Sequence, residues 1–372
     1  MYYENKKEKR RKNIIVILFM TIIIVLLVSL NLRVQTINEN NGNRTYSTEK
    51  LETQIKEVNK KDNDYKFIEE SSKAVVGISK LKTKDKTLFG NENKILGQGS
   101  GVVITDDGYI LTNQHLSGNK YSTCSVTLEN GNNYDASVIW ADENIDLSII
   151  KIPGASLKYI ELEDDENIHL GEDVYAIGNP IGFEFQRTVT KGIVSGLNRT
   201  IKLNENGKLS YMEDLIQTDS KINTGNSGGA LINSKGKLIG INTIKISEAD
   251  GIGFAVPVDI IKPVIDKLIN QGKFEEAYLG IYGYDKEVIP YLEDDIKLNS
   301  GIYVDSISFD GPVYNSGIVS GDIITQIDDV KLNKMSQLRK YIYSKKPGDK
   351  VKLTVNRSHK NYSIEIILGN NI

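Results

Sequence analysis

Between Ser72 and about Gln271, the sequence is divided into short runs of apolar and β-branched residues separated by Gly, Asn and Asp. Many short strands at this spacing are typical of a β-sandwich or β-barrel, and they argue against a helical or parallel βαβ fold. The full chain of 372 residues has room for two or three domains with a sizeable core. We therefore predict a mainly β domain in this region, with strands that include 74–78, 101–104, 109–112, 174–177 and 237–241.

A glycine-rich stretch near the end of this region has the composition of a catalytic turn. Ser227 is flanked by Gly225, Gly228 and Gly229. Glycine adopts backbone dihedrals closed to other residues, so such a turn can direct its N–H groups toward one point. Acyl transfer needs an exposed hydroxyl as the nucleophile, with backbone N–H donors beside it to hold the developing oxyanion. Because Gly/Ser/Asn clusters also mark ordinary loops, the stretch indicates a nucleophile only if a base and an orienting acid accompany it.

A candidate base and a candidate acid lie upstream. His115 closely follows an apolar, strand-like run, where a rigid element can fix its ring, whereas the other two histidines lie in polar stretches. Histidine suits general-base work because its unperturbed pKa of about 6.5 is close to working pH. Asp146 stands at the head of another apolar run and can orient the imidazole from there. Asp142 and Glu143 are nearby competitors for that role, but neither heads an apolar run.

Three segments of the chain resemble the HtrA/Deg-type serine proteases. Residues 112–116 (TNQHL) resemble the family's T-N-x-H-V segment, and residues 146–152 (DLSIIKI) resemble its D-L-A-V-[IL]-K-[IV] segment. Residues 217–231 resemble its serine segment, Q-T-D-A-x-I-N-P-G-N-S-G-G-[PA]-L. The order His, Asp, Ser is that of the chymotrypsin-type enzymes. The resemblance runs from about Val75 to the C-terminus and implies a trypsin-like serine protease domain over 71–272, built of two packed β-barrels.

The resemblance also implies the site residues. His115 and Asp146 would come from the first barrel and Ser227 from the second, and together they would form the catalytic triad. The oxyanion hole would lie around Gly225, Asn226 and Ser227, with the N–H groups of Gly225 and Ser227 as donors.

Four positions bear on how the active-site loop is ordered and what the specificity pocket accepts. Asn226 stands where digestive relatives carry an Asp that pairs with a newly cut N-terminus, so we do not expect that activation here. Arg199 stands where the family has its sensor-loop arginine, which implies a regulatory role; an ordinary exposed arginine is the alternative. Thr224 replaces the family's usual Pro or Arg. Lys221, six residues before the serine, brings no acid to the pocket, so we expect a preference for small aliphatic residues over cleavage after Lys or Arg.

Residues 277–370 form a further predicted domain. Residues 278–281 (YLGI) resemble the carboxylate-binding loop of PDZ domains, and residues 317–324 (GIVSGDII) resemble another segment of that module. The resemblance implies that the N–H groups of Leu279, Gly280 and Ile281 hold a peptide C-terminal carboxylate while the peptide adds as a strand. A generic α+β domain is the alternative. Before it, residues 260–271 show helical spacing, and Gly272 predicts the end of that helix.

The N-terminal region has the pattern of a membrane anchor. Residues 1–12 carry a net charge of +4, and residues 14–30 form an apolar run of 17 residues interrupted only by Thr21 and Ser29. That length reaches the lower limit of about 17–25 residues for a spanning helix, and no A-x-A cleavage pattern follows it. We predict a cytoplasmic basic tail over 1–13, a single-pass transmembrane anchor over 14–30 and a polar linker over 31–70. The alternative is a soluble protease secreted after cleavage near Leu30.

Composition excludes several other classes of function. Cys124 is the single cysteine, so no internal disulfide is possible, and without a histidine motif beside it we expect an inert, small hydrophobic residue. Three scattered histidines and one cysteine give no metal-ligand spacing, so neither a metal nor a cofactor is predicted. The sequence has no basic stripe interleaved with aromatic residues, so it does not suggest nucleic-acid binding.

The predicted architecture is mainly β: a chymotrypsin-like double β-barrel followed by an α+β PDZ domain, with an N-terminal transmembrane helix. The predicted protein is a serine endopeptidase anchored in the cell membrane, with its catalytic domain outside the cytoplasm, where it degrades or processes misfolded or exposed polypeptides. Peptide C-termini would bind at the PDZ domain, and the family resemblance implies a homotrimer. The rival from another class is a PDZ-bearing chaperone or adaptor whose triad is seldom productive.

Overall fold

A computed structural model describes residues 17–35, 65–83, 94–154, 156–163, 167–179, 187–205, 208–223, 225–245, 251–292 and 296–370. The predicted tail over 1–13, residues 14–16 of the predicted anchor, residues 36–64 of the predicted linker and Thr224 lie outside the described residues. The chain divides into two compact units, Met1–Tyr65 and Lys66–Ile372. The first unit contains helix α1 (Ile17–Gln35) of 19 residues, in which a window of 18 residues has a mean hydropathy of 2.5 and is not buried. By length and composition, α1 could cross a membrane.

The second unit begins with a short helix, α2 (Lys66–Ser72), followed by a closed antiparallel barrel. Alternate residues of one barrel strand, Ala136, Val138 and Trp140, are buried, as expected when one face of a strand meets a core. The helix α3 (Gln114–Ser117) follows the third strand. The six strands of barrel one are β1 (Val75–Thr83), β2 (Lys94–Val103), β3 (Tyr109–Thr112), β4 (Thr123–Thr127), β5 (Asn133–Asp142) and β6 (Leu147–Lys151).

A second closed antiparallel barrel follows, with the strand order β10-β11-β12-β9-β8-β7. Its interior includes the buried apolar residues Val174, Val194, Ile216 and Leu231. Strands β8 and β9 form a hairpin that runs from residue 188 to residue 218. The strands are β7 (Asp173–Gly178), β8 (Thr188–Glu205), β9 (Lys208–Thr218), β10 (Ala230–Asn233), β11 (Leu238–Lys245) and β12 (Gly253–Pro257).

The helix predicted over 260–271 is present with a different start. A 3-10 helix occupies Val258–Ile261, and the α-helix α4 runs from Lys262 to Gln271. Pro263 lies at the start of α4, where its missing N–H has no intrahelical partner to lose. Gly272 ends the helix in the left-handed conformation, with φ of 69°.

The C-terminal part of the second unit has its own buried core, which includes Val304, Ile324, Leu338 and Leu353. One helix, α5 (Met335–Ser344), and a 3-10 turn at Ile289–Tyr291 accompany the strands. The strands are β13 (Ala277–Tyr278), β14 (Ile281–Tyr284), β15 (Ile302–Ile307), β16 (Ile323–Ile327), β17 (Val330–Lys331), β18 (Lys350–Arg357), β19 (Lys360–Ile367) and β20 (Gly369–Asn370). The prediction of a mainly β double barrel followed by an α+β domain is confirmed.

Helix α5 packs against the barrel domain within the second unit. Its Tyr343 is 3% exposed and makes edge-on ring contacts with Trp140 of β5, at 5.7 Å, and with Phe274 after α4, at 6.1 Å. Lys340 of the same helix pairs with Asp259 of the 3-10 helix. The contacts of α5 therefore include the end of β5, which leads directly into the turn that carries Asp146.

Candidate active site

The predicted base and its orienting acid meet in barrel one. His115 lies on α3, and its Nδ1 is 2.9 and 2.8 Å from the two carboxylate oxygens of Asp146. The backbone N–H of His115 donates to the same carboxylate at 3.0 Å. The His115 side chain is 47% exposed, whereas that of Asp146 is 16% exposed. A partly shielded carboxylate thus engages one ring nitrogen of a histidine whose side chain is about half exposed.

Asp146 is held at several points. It lies in the turn between β5 and β6 with φ of 51°, in the left-handed region that few non-glycine residues adopt. Its carbonyl oxygen accepts from the Asn113 side-chain amide at 3.0 Å and from the Gln114 N–H at 3.2 Å. Its carboxylate also accepts from the hydroxyl of Thr243, on β11 of barrel two, at 2.9 Å. These contacts determine both the backbone and the carboxylate direction of Asp146, so the imidazole has a defined orientation.

The turn carrying Ser227 is clamped to barrel one by a single serine. The buried hydroxyl of Ser100 on β2 donates to the carbonyl of Gly225 at 2.6 Å, and the Ser100 N–H donates to the carbonyl of Ser227 at 2.8 Å. Gly228 has φ of 79°, and a Cβ there would lie 2.1 Å from the Ser100 carbonyl oxygen. Only glycine fits this close approach, which explains part of the glycine-rich pattern.

Asn226 organises the same turn through its side chain. Its amide oxygen accepts from the Asn223 N–H at 2.9 Å, and its amide nitrogen donates to the Lys221 carbonyl at 3.1 Å. Its own N–H donates to the Asn223 carbonyl at 3.1 Å. Among the hydrogen bonds of the described residues, none uses the N–H of Gly225 or Ser227.

The Ser227 hydroxyl donates to the carbonyl of Thr243 at 3.1 Å. Within the described part of the chain, no hydrogen bond joins it to His115. Thr243 thus contacts two of the three predicted triad residues, because its hydroxyl reaches Asp146 and its carbonyl holds the serine.

The structure also describes three other positions named from the sequence, Lys221, Arg199 and Cys124. Lys221 is exposed, and Arg199 on β8 donates from Nε to the Gln217 side chain at 3.0 Å. Cys124 is buried, and burial raises the pKa of its thiol to about 11. No group of His, Cys, Asp or Glu in the described ranges is arranged to hold a metal ion.

The predicted carboxylate loop lies between β13 and β14. Gly280 has φ of 83°, and a Cβ there would lie 2.8 Å from the Cα of Gly311, so the loop requires glycine. The Gly280 carbonyl accepts from the Ser308 N–H at 2.9 Å. No backbone hydrogen bond between described residues uses the N–H of Leu279 or Gly280, and Ile281 begins β14 at the edge of the sheet. A peptide strand could therefore add at this edge.

Two closed antiparallel barrels, with Thr243 of the second contacting both Ser227 and the aspartate that engages His115, are the arrangement of a trypsin-like serine peptidase, here followed by a PDZ domain. Residues 99–241 match the family model of a trypsin-like peptidase domain, and residues 278–368 match that of a PDZ domain. The chain belongs to the HtrA/Deg family of serine endopeptidases, which confirms the resemblance seen in the sequence.

Three similar proteins illustrate the match. The serine protease Do-like HtrB of Bacillus subtilis is 34% identical over 323 residues, which span 81% of this chain and 70% of the relative. The serine endoprotease DegS of Haemophilus influenzae is 34% identical over 306 residues, 80% of this chain and 85% of the relative. Among solved structures, the HtrA-type protease AlgW with a decapeptide matches with a TM-score of 0.60 and 29% identity, over 83% of this chain and 99% of that chain.

Sequence reasoning missed three residues that position the site. Ser100 and Thr243 lie in strands whose sequence indicates β structure and nothing more, and neither residue belongs to a recognisable motif. In the sequence, Asp142 is only a competitor of Asp146, whereas the structure places it at the end of β5 with hydrogen bonds of its own. The signal that could have found Asp142 is the alternation of β5, which places a carboxylate on the buried face.

Proposed function

We propose that Ser227, His115 and Asp146 are the catalytic triad of this endopeptidase and hydrolyse peptide bonds by acyl transfer. The single observation that carries the proposal is the engagement of His115 by Asp146. One carboxylate accepts from both the ring and the backbone of the histidine and is itself fixed by Thr243. Such an aspartate selects the ring tautomer and stabilises the imidazolium formed when the serine proton is taken up.

In this mechanism, the Ser227 hydroxyl leaves the Thr243 carbonyl, to which it donates at 3.1 Å, and turns toward Nε2 of His115. Catalytic hydrogen bonds commonly form only when the substrate is bound, so the resting contact is compatible with this step. The serine oxygen attacks the scissile carbonyl as its proton passes to the imidazole, and the imidazolium then returns that proton to the leaving amine. Water repeats the sequence to release the acyl group.

The N–H groups of Gly225 and Ser227 serve as the oxyanion hole in this proposal. Asn226 contributes through its side chain, because its own N–H is already engaged with Asn223. Preorganised donors of this kind contribute about 10²- to 10³-fold to the rate.

A matched pair of proteins tests the triad. We expect wild-type protein to digest casein and Ser227→Ala protein to be inactive while retaining the same thermal unfolding midpoint. Labelling with a serine-directed fluorophosphonate should mark the wild type alone. Equal digestion by the two proteins would end the assignment of Ser227.

We further propose that the protein works outside the cytoplasm from a membrane anchor over residues 14–30, on misfolded or exposed polypeptides, as a homotrimer. The apolar helix α1 and the basic residues that precede it support the anchor and its orientation, and membership of the family supports the substrate class and the trimer. Fractionation tests the anchor: the full chain should resist alkaline extraction from membranes. A mature N-terminus beyond Asn31 would instead establish a released, soluble enzyme.

The PDZ domain is proposed to bind peptide C-termini at Leu279, Gly280 and Ile281, with Arg199 relaying the bound state to the active-site loop. The Gly280 loop, where only glycine fits, lies beside an open sheet edge and supports the binding site. Fluorophosphonate labelling with and without C-terminal peptides tests both parts. A peptide that raises the labelling rate of wild type should have no effect on Arg199→Ala; an equal rise in both would exclude the relay.

A further inference from the structure

The turn that presents Asp146 is built on the carboxylate of Asp142. Asp142 and Leu147 face each other across the β5–β6 ladder, so residues 143–146 form the hairpin turn between them. One carboxylate oxygen of Asp142, Oδ1, accepts from the backbone N–H of Asn144 at 2.8 Å and from its side-chain amide at 3.0 Å. The Asp146 N–H closes the turn on the Glu143 carbonyl at 3.3 Å. A carboxylate that caps a turn in this way restricts the backbone of the residues that follow it.

The other oxygen of Asp142 is held by the PDZ domain. Oδ2 accepts from Arg339 Nη1 at 2.7 Å and from the Tyr343 hydroxyl, both on helix α5. The Asp142 side chain is 8% exposed and that of Arg339 is 22% exposed, so the pair is largely removed from water. Burial by itself raises the pKa of the Asp142 carboxyl, but the charge of Arg339 and the hydroxyl of Tyr343 hold that pKa below its ordinary value. The carboxylate is therefore ionised, and its two oxygens join the turn to α5.

We propose that Arg339 and Tyr343 of the PDZ domain are positioning residues for peptide-bond hydrolysis, acting through Asp142 on the turn that carries Asp146. The proposal rests on the assignment of Asp146 to the triad. Neither residue touches the triad. Their effect is to keep the turn, with Asp146 in its left-handed conformation, at the position where the carboxylate meets His115. Helix α5 then supports the catalytic centre in addition to belonging to a peptide-binding domain.

Other contacts between the two domains do not end on this turn. Lys340, also on α5, pairs with Asp259 of the 3-10 helix before α4. Lys267 of α4 donates to the carbonyls of Tyr343 and Lys345, at 2.8 and 2.6 Å. Removing the Lys340 ion pair loosens domain attachment without removing a partner of Asp142. Lys340→Met is therefore a matched control for Arg339→Met, because each change removes one cation of the same helix.

The test uses the full chain with these two variants and Arg339→Lys. Loss of Arg339 leaves a buried carboxylate short of its partner, and small displacements of catalytic groups cost up to about 100-fold in rate. We expect Arg339→Met to lower kcat by about 10- to 100-fold with KM changed by less than about twofold. Fluorophosphonate labelling should slow by the same factor. Arg339→Lys should restore part of kcat, and Lys340→Met should stay within about twofold of wild type.

Two measurements separate positioning from loss of structure. Trp140 is the single tryptophan and its ring lies against Tyr343, so its fluorescence reports whether α5 remains docked. Tyr343→Phe is the second variant, since it removes one donor to Asp142 and keeps the ring contacts. We expect it to lower kcat by about 3- to 10-fold, the effect of one lost hydrogen bond, with unchanged fluorescence.

The outcomes are distinct. Wild-type or higher kcat in both Arg339→Met and Tyr343→Phe would overturn the proposal, as would an equal loss in Arg339→Met and Lys340→Met, which would indicate domain attachment in general. The activity of Ser227→Ala, measured beside these variants, separates a failure of the triad assignment from a failure of the positioning role. If that variant remains active, the triad assignment fails; if it is inactive while the α5 variants are unimpaired, only the positioning role fails.

Discussion

Replacing Glu213 with glutamine should stabilise the protein at alkaline pH. Glu213 lies on β9, partly exposed, where the barrel domain faces the PDZ domain. Burial is the main cause that raises the pKa of its carboxyl to about 8, and the negative charges of Asp285 and Asp214 add to it while Arg339 opposes it. The pKa of the buried Asp285 carboxyl is also raised, mainly by burial. The carboxyl of Glu213 therefore carries a proton at neutral pH, which glutamine reproduces in shape and charge.

The sign of this change in stability follows from proton binding in the folded and unfolded states. Between the ordinary pKa of 4.5 and the folded value of about 8, the folded protein holds a proton that the unfolded chain releases. The contribution of this group to stability is thus fully present below about pH 4.5 and is lost as the pH rises through 8. Each pKa unit corresponds to about 1.4 kcal/mol, which sets a ceiling of about 5 kcal/mol. Because water reaches part of the side chain, we expect about 1–3 kcal/mol.

Denaturant unfolding of wild type and Glu213→Gln at pH 5, 7 and 9 measures the effect. The two proteins should be nearly equal at pH 5, and the variant should be more stable by about 1–3 kcal/mol at pH 9. Glu365→Gln, at an exposed position on β19, is the control and should leave the pH dependence unchanged. Parallel stability curves for wild type and Glu213→Gln across this range would refute the argument, because they would mean that Glu213 titrates alike in both states.

Three further predictions concern Thr243, Gly228 and Cys124. Thr243→Val removes the hydroxyl that reaches Asp146 at 2.9 Å and keeps the carbonyl, so kcat should fall by about 3- to 10-fold; steady-state kinetics with an unchanged kcat would contradict this. Gly228→Ala forces a Cβ to 2.1 Å from a backbone oxygen, so it should cost at least about 2 kcal/mol of stability and abolish fluorophosphonate labelling; a stable, labelled variant would show that the turn relaxes. Cys124, with its pKa of about 11, should resist iodoacetamide at pH 8 in the native protein and react after denaturation; rapid native labelling would place the thiol at the surface.

The candidate site residues that the sequence indicates are those recognisable from local chemistry. A serine flanked by glycines and an aspartate at the head of a strand are recognisable because neighbouring residues supply the whole pattern. At Gly228, for example, no residue with a Cβ fits the turn. The predicted start of the helix at residue 260 is wrong, because a 3-10 turn occupies Val258–Ile261 and the α-helix begins at Lys262. Both elements bury apolar residues, so the hydrophobic pattern runs through them without a break. Periodicity alone does not separate one tight turn from a regular helix.

Contacts between distant segments could not be predicted. Asp142 and Arg339 are 197 residues apart, and nothing near either residue indicates its partner. In the sequence, Asp142 competes with Asp146 for a single role. In the structure, Asp142 caps the turn in which Asp146 lies. Ser100 and Gly225, 125 residues apart, illustrate the same limit for the serine turn.

The resting position of Ser227 has an energetic consequence that concerns regulation of the site. Its hydroxyl and the Asp146 carboxylate are both partners of Thr243, so the same residue of β11 contacts the proposed acid and the proposed nucleophile. A neutral hydrogen bond contributes about 0.5–1.5 kcal/mol net, which corresponds to an occupancy ratio of only about 2 to 13. Retention at Thr243 alone therefore lowers the population of attacking serine by about 13-fold at most. We expect any larger change in activity to come from other elements of the proposed site, and the turn that carries Asp146, which Asp142 joins to α5, is one of them.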